Sequence, residues 1–182
     1  NARELIRGNF SEHYTWMKSY LNDNGYNVHG CSYMLSRFGL PQIRERALII
    51  AAKSNYKLHT LDSLWQDWEV TPEAISVRRA LESISPCADG FDVYPKFSSR
   101  VVEERVAAIP KDGGSWIDLL KHEDRDELLT DSMKKNVAAR RFGSYPDVYG
   151  RMALGKPAPT IKRECSHVGN GRYVHPTENR LC

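Results

Sequence analysis

Gly39-Leu40-Pro41-Gln42-Ile43-Arg44-Glu45-Arg46-Ala47-Leu48-Ile49-Ile50-Ala51-Ala52 is the stretch on which the fold turns. Gly39-Leu40-Pro41 has turn composition. In an extended chain the next residues alternate sides, so Gln42, Arg44 and Arg46 share one side. An amide and two guanidiniums in a row can grip a phosphate or a planar polar edge. An arginine pair engaged in surface ion pairs would give the same letters. The run from Ala47 to Ala52 is apolar throughout and bounded by charge at Arg46 and Lys53, which predicts a strand buried on both faces.

Upstream, Phe10 to Asn24 predicts a helix. Ser11 is placed to cap it, Glu12 suits its first turn, and Gly25 ends it. Tyr14, Met17 and Leu21 fall on one face, with Trp16 and Tyr20 beside it. Tyr26 to Leu35 alternates as a strand does. Helix, strand, turn and buried strand together read as the end of an α/β sheet. The character changes after Lys53. Asn55 to Glu69 is mixed. Ser76 to Ser85 predicts a short helix stopped by Pro86, and Ser98 to Ile109 a second, with Val102, Val106 and Ile109 inward and Pro110 at its end. Lys111 to Ser115 is a loop, and Glu123 to Lys135 reads as a solvated helix. From Arg140 the chain is rich in Gly, Pro, Tyr and Arg without periodicity, a composition that fits loops pinned to a scaffold.

The chain has 182 residues, 41% of them hydrophobic, enough for one ordinary domain or two small ones with a packed core. The run Ala47 to Ala52 falls far short of the roughly 20 residues of a membrane span. No signal peptide is visible, so no membrane partner is expected. The first residue is Asn1 rather than Met, which reads as a piece of a longer protein. Cys31, Cys87, Cys165 and Cys182 form no CxxC pair and have no His at finger spacing, so no metal is expected. The cysteines read as reduced thiols of a cytoplasmic protein. Net charge is only +3, but Met133 to Cys182 hold ten Lys and Arg against three acids, +7, while the remainder carries −4. A basic end on a near-neutral body suggests an anionic partner, with nucleic acid the usual one. A solvated charged surface would look alike.

Two further segments carry chemistry. Lys156-Pro157-Ala158-Pro159-Thr160-Ile161 stiffens the chain before a hydroxyl that can meet a phosphate, with Lys162 and Arg163 following. Gly169-Asn170-Gly171-Arg172-Tyr173-Val174-His175-Pro176 has glycines that allow close backbone approach. Tyr149-Gly150-Arg151 lies just upstream.

Taken in order, these segments resemble the bacterial DNA (cytosine-5)-methyltransferases. Gly39 to Ala52 is similar to that family's motif VIII, and Lys156 to Arg180 to its motif IX. Ile109 to Trp116 and Tyr145 to Met152 are similar to phrases of its target-recognition region. Asn1-Ala2-Arg3 looks like motif VI without its glutamate, and the chain stops at Leu181-Cys182, where the motif X helix would begin. The glycine-rich loop for S-adenosylmethionine and the Pro-Cys nucleophile motif are absent. Pro86-Cys87 has the wrong position and lacks the glycine-rich flank.

The resemblance implies a reaction in which a Cys thiolate adds to carbon-6 of a flipped cytosine, a Glu protonates the ring, and carbon-5 takes the methyl group of S-adenosylmethionine. Nucleophile, Glu and cofactor would belong to sequence outside this chain, which would bind no cofactor and be inactive alone. It would serve double-stranded DNA recognition and base flipping in the bacterial cytoplasm, as a monomer. Gln42, Arg44 and Arg46 match motif VIII. Arg46, with Arg44, would reach the flipped base and its phosphates as catalytic residues, and Gln42 would contact DNA. Arg151 would meet a guanine edge or a phosphate. Thr160, Lys162 and Arg163 would touch the backbone. The stretch Ser144 to Tyr149 would supply a group that fills the gap left by the base. The implied fold is the end of an S-adenosylmethionine-dependent methyltransferase sheet over 1–54, a small mixed and irregular recognition domain over 55–165, and a segment over 166–182 returning to the large domain. A stand-alone DNA-binding subunit of a split methyltransferase is the alternative. An unrelated basic RNA-binding domain is disfavoured by the lack of RRM-type aromatics.

Overall fold

The computed structural model describes residues 3–84, 94–141 and 146–182. The fold is mixed, a two-stranded antiparallel sheet with short helices and long irregular segments. Helix α1 (Ser11–Asp23) precedes β1 (Tyr26–Met34), which pairs with β2 (Glu45–Lys53) from Tyr26↔Lys53 to Met34↔Glu45. Gly39, at φ 91°, supplies the left-handed conformation that closes the 3-10 turn Leu35–Phe38 between them. The helix face read from the sequence is the one that packs: Tyr14, Met17 and Leu21 are half-buried, whereas Trp16 and Tyr20 stack on each other in solvent. A Cβ on Gly30 would lie 2.5 Å from the Tyr14 hydroxyl, so α1 can seat on the hairpin only where β1 has no side chain.

Two expectations for this part are corrected. Ser11 does not cap α1; it is the first helical residue, and Phe10 occupies the cap position without a side-chain bond. The strand β2 is not buried on both faces. Ala47 is buried, Leu48, Ile49 and Ile50 are half-buried, and Ala51 is exposed. The reason is that β2 has one neighbouring strand among the described residues, so nothing covers its second edge.

Beyond Lys53 the chain builds two cores. Helices α2 (Leu61–Trp65), α3 (Val77–Glu82), α4 (Arg100–Ala108), α5 (Arg125–Leu128) and α6 (Asp131–Ala138) are short, and four of them are capped by a Thr or Ser side chain: Thr60, Ser76, Ser99 and Thr130. One core gathers Val77, Val102 and Val106 with Met152, Val168, Tyr173, Val174 and Leu181. The other gathers Ile109, Trp116, Leu119, Leu128, Leu129 and Met133. Each fully buried apolar side chain of this kind contributes roughly 1.5–3 kcal/mol. Val102, Val106 and Ile109 point inward as their spacing predicts, and α4 is the wall between the cores.

The stretch Glu123 to Lys135 is not one solvated helix. Thr130 caps a second helix there, and the Leu128-Leu129 pair and Met133 go into the core. Residues 166–182 contribute Val168, Tyr173, Val174 and Leu181 to the same core as Val77, so no break in the packing falls at 165. Pro86, Cys87 and Ser144, with the readings attached to them, lie outside the described residues.

Candidate nucleic-acid interface

The hairpin turn and the proline-rich segment meet. Gln42 and Ala158 form a parallel bridge: the Ile43 N–H donates to Ala158 O at 2.7 Å and the Ala158 N–H to Pro41 O at 3.0 Å. The Thr160 hydroxyl donates to Ile43 O at 2.6 Å, and the Tyr173 hydroxyl to Thr160 O at 3.2 Å. Pro157 and Pro159 hold the segment extended for this pairing. Two of the segments read from the sequence are therefore edge to edge.

Arg44 and Arg46 are half-buried on this edge. Arg44 donates to Gln42 Oε1 at 3.3 Å, which agrees with the shared side expected of alternate residues. Arg46 donates to Glu45 O at 2.7 Å. Among the described residues neither guanidinium has a carboxylate partner. Two partly desolvated cations side by side attract an anion more strongly than they would in bulk water.

Beside this edge run two open grooves. One, of about 680 Å³, is lined by Thr160, Lys162, Arg163, Asn170 and Arg172 together with Asp147. The other, of about 660 Å³, is lined by Ile43, Lys156, Ala153 and Asp112 and shares Asp147, Pro159 and Arg172 with the first. The two meet at an ion pair, Arg172 Nε to Asp147 Oδ1 at 3.0 Å. Arg172 also donates to the carbonyls of Gly113, Gly114 and Arg151, so it ties the Lys111–Ser115 loop to the groove floor. In the sequence Arg172 is marked only by its place directly after Gly171.

Arg151 is elsewhere. It is 0% exposed, and all five of its N–H donors are taken: Nε by Ile109 O, one terminal nitrogen by His175 O and Glu178 O, the other by Val106 O and Asn179 Oδ1. As folded here it has no donor left for a guanine edge or a phosphate, because the irregular segments around it need their buried carbonyls satisfied. Tyr149 is half-buried at φ 54°, with its hydroxyl accepting from Arg105 at 3.1 Å and the Arg105 guanidinium 5.0 Å from its ring. Arg105 also donates to Leu128 O. Tyr149 thus sits on the seam of the two cores, with Val148 beside it on the groove. Gln42 and Thr160 come to the junction, with Arg44 and Arg46 following Gln42 in the hairpin; Lys162 and Arg163 line the first groove beside Thr160; Arg151 belongs to neither group.

Behind the grooves lies a second cluster. The Nδ1 atom of His175 accepts from the Glu178 N–H at 3.0 Å and the Thr177 N–H at 3.3 Å. Burial, then the Arg180 guanidinium, pushes its pKa below the ordinary value, with Glu178 opposing and Arg151 and Lys111 adding. The hydrogen bond from Arg180 holds the Glu178 carboxyl below the usual range. Arg180 lies 3.9 Å from the centre of the Tyr94 ring.

The two strands are joined through the Gly39 turn, and among the described residues no glycine-rich loop leads from a strand into a helix. Among the described residues there is no cluster of His, Cys, Asp and Glu able to hold a metal, and no helix is long and apolar enough to cross a membrane.

The family model described as C-5 cytosine-specific DNA methylase matches residues 1–138. The Type II methylase M.HgiDII of Herpetosiphon aurantiacus is 27% identical over 181 residues, covering 99% of this chain and 48% of that protein. The Type II methyltransferase M1.BsuMI of Bacillus subtilis (strain 168) is 26% identical over 170 residues, covering 92% of this chain and 35% of that protein. The chain therefore spans about half, or less, of the length of these relatives. No solved structure matches it.

Proposed function

The chain belongs to the C-5 cytosine-specific DNA methylase family, and from that premise we propose that it recognises double-stranded DNA and holds a flipped cytosine for transfer of a methyl group to carbon-5. The observation that carries this reading is the junction of the hairpin turn with the Pro157–Thr160 segment. It sets two guanidiniums without acid partners beside grooves lined by Lys156, Lys162 and Arg163. The chain carries neither a Pro-Cys nucleophile motif in the right place nor a glycine-rich cofactor loop, so we assign both to sequence beyond these residues.

Within this reading each residue has one task. Gln42 orients Arg44 through their hydrogen bond. Arg46 is the second residue of β2 and pairs with Tyr33, so its backbone is fixed by the ladder, and its cation favours the negative charge that builds on the ring when a thiolate adds. Thr160 fixes the junction through Ile43, leaving Lys162 and Arg163 to meet phosphates. Arg151 is an internal strut that gives the recognition segments their shape, not a base contact. Tyr149 shapes the seam from which Val148 faces the groove.

The test is Arg46→Ala in the full-length protein, with single-turnover methylation at saturating DNA. An interaction made chiefly in the transition state appears in the rate of the chemical step. The rate should fall by on the order of 10², with a smaller change in the dissociation constant. An unchanged saturated rate with weakened binding would make Arg46 a backbone anchor and remove it from the chemistry.

A further inference from the structure

We infer that Asn136 reads the edge of one base, and that α6 is the element that presents it. The inference rests on the DNA-recognition reading above and adds to it a residue and a base class. Thr130 caps α6, and Met133 anchors it in the core beside Leu128 and Leu129. That anchoring fixes the rotation of the helix. Ser132 and Asn136, one helical turn apart, then share a side. Both line an open cavity of about 500 Å³ whose far wall includes Val148 and Gly169. Val148 and Gly169 also line the groove that holds Lys162 and Arg163, so the cavity opens into the proposed path of the DNA. Lys134, Lys135, Arg140 and Arg141 stand exposed along and just after the helix.

Asn136 and Asn170 are the half-buried asparagines among the described residues, and their amides are in different states. Asn179 is held by Arg151 and Lys111, and Asn170 by Glu164. Asn136 is half-buried, and among the described residues its side chain has no hydrogen-bond partner. The amide faces the open cavity and is not among the buried groups left without a partner, so its donor and its acceptor are both available to a ligand. A ligand that offers an acceptor and a donor side by side engages both at once. In the major groove adenine does so, through N7 and the N6 amino group, and asparagine is a matching side chain. A phosphate offers acceptors only and would leave the amide oxygen unpaired.

The experiment measures base preference at every position of a randomised duplex pool for the full-length protein and its Asn136→Ala and Asn136→Asp variants. Asn136→Ala should lose discrimination at one A·T pair by roughly ten- to a hundredfold, leaving the other positions and the salt dependence as they were. Asn136→Asp keeps the side chain's shape, so it remains informative should the alanine variant fold poorly. It should move the preference at that pair towards C·G, because a carboxylate accepts from the cytosine N4 amino group. Unchanged preferences in both variants would overturn the assignment. So would an equal loss on all sequences with a shallower salt dependence, which would make the contact a phosphate contact. A wild-type protein with no preference at any position would overturn the recognition reading itself along with the inference.

Discussion

In the hairpin, Arg44 gives one N–H to Gln42, Arg46 gives one to the carbonyl beside it, and neither meets a carboxylate among the described residues. From Val77 onward arginine is used differently. Arg105, Arg151 and Arg172 donate into Leu128 O, five acceptors around Arg151, and the carbonyls of Gly113, Gly114 and Arg151. The hairpin satisfies its backbone through a ladder, so its arginines remain available. The second region has little regular structure, and its buried carbonyls need donors from side chains. The two regions also differ in core: of the buried apolar side chains among the described residues, only Tyr33 and Ala47 come before Val77. Positive charge in a sequence is therefore no measure of positive charge offered to a partner. Of the ten cations after Met133, Arg151 is sealed in, Arg172 is tied to the floor, and Arg180 is held by Glu178.

The largest effect that would break this comparison is at Arg151. Removing the guanidinium takes a donor from five acceptors, of which the carbonyls of Ile109, His175 and Glu178 have no other hydrogen bond among the described residues, and at roughly 1–3 kcal/mol for each group left unsatisfied Arg151→Ala should destabilise the chain by about 3–5 kcal/mol. Arg46→Ala, which frees one carbonyl on a half-buried edge, should stay near 1 kcal/mol. Denaturant unfolding of the two variants compares them directly. Equal losses would mean that the second region does not depend on its arginines as described.

A smaller effect sharpens the same contrast through pH. His175 must be neutral at Nδ1 to accept from the Thr177 and Glu178 N–H groups. Its folded pKa lies below the ordinary 6.5, with burial the first cause and Arg180 the second. A depressed folded pKa means that the contribution is complete above 6.5 and is lost as pH falls through the lower folded value. Stability should therefore fall by about 1 kcal/mol as pH is lowered through the range below 6.5, and His175→Gln should flatten that fall. Glu178, held low by Arg180, titrates below 4.5 and adds its loss in a separate, more acidic window. A stability flat between neutrality and pH 5, or a fall that survives in His175→Gln, would contradict this account of the turn.

Sequence periodicity made the first region legible. The face of α1 and both strands follow from side-chain spacing, as does the shared side of Gln42 and Arg44, and the Gly39 turn follows from its Gly-Leu-Pro composition. The degree of burial of β2 did not follow, because an apolar run says what a strand can tolerate and not what lies beside it. The second region was legible only where a helix was long enough to show its period, as at Val102, Val106 and Ile109. Leu128, Leu129 and Met133 were hidden because the Thr130 cap interrupts their spacing with a change of helix. Met152, Val168, Tyr173 and Val174 lie in segments without a period, and they reach the core through isolated bridges such as Arg151 to Val174. A buried arginine and a DNA-facing one are written with the same letter, and only the carbonyls around Arg151 tell them apart. Asn136 gave no signal for a similar reason, since its isolation depends on what folds around it.

Lys162 and Arg163 line the groove face beside Thr160 on which the proposed DNA contact depends most directly. The measurement is the affinity of the chain for duplex DNA across a range of salt concentrations, for the wild type and for the Lys162→Ala, Arg163→Ala double variant. Affinity should fall steeply with salt, and the double variant should bind more weakly with a log–log slope shallower by roughly 0.9 for each phosphate contact removed. An affinity that does not change with salt, or no binding even at low salt, would contradict the reading of this face as a DNA interface.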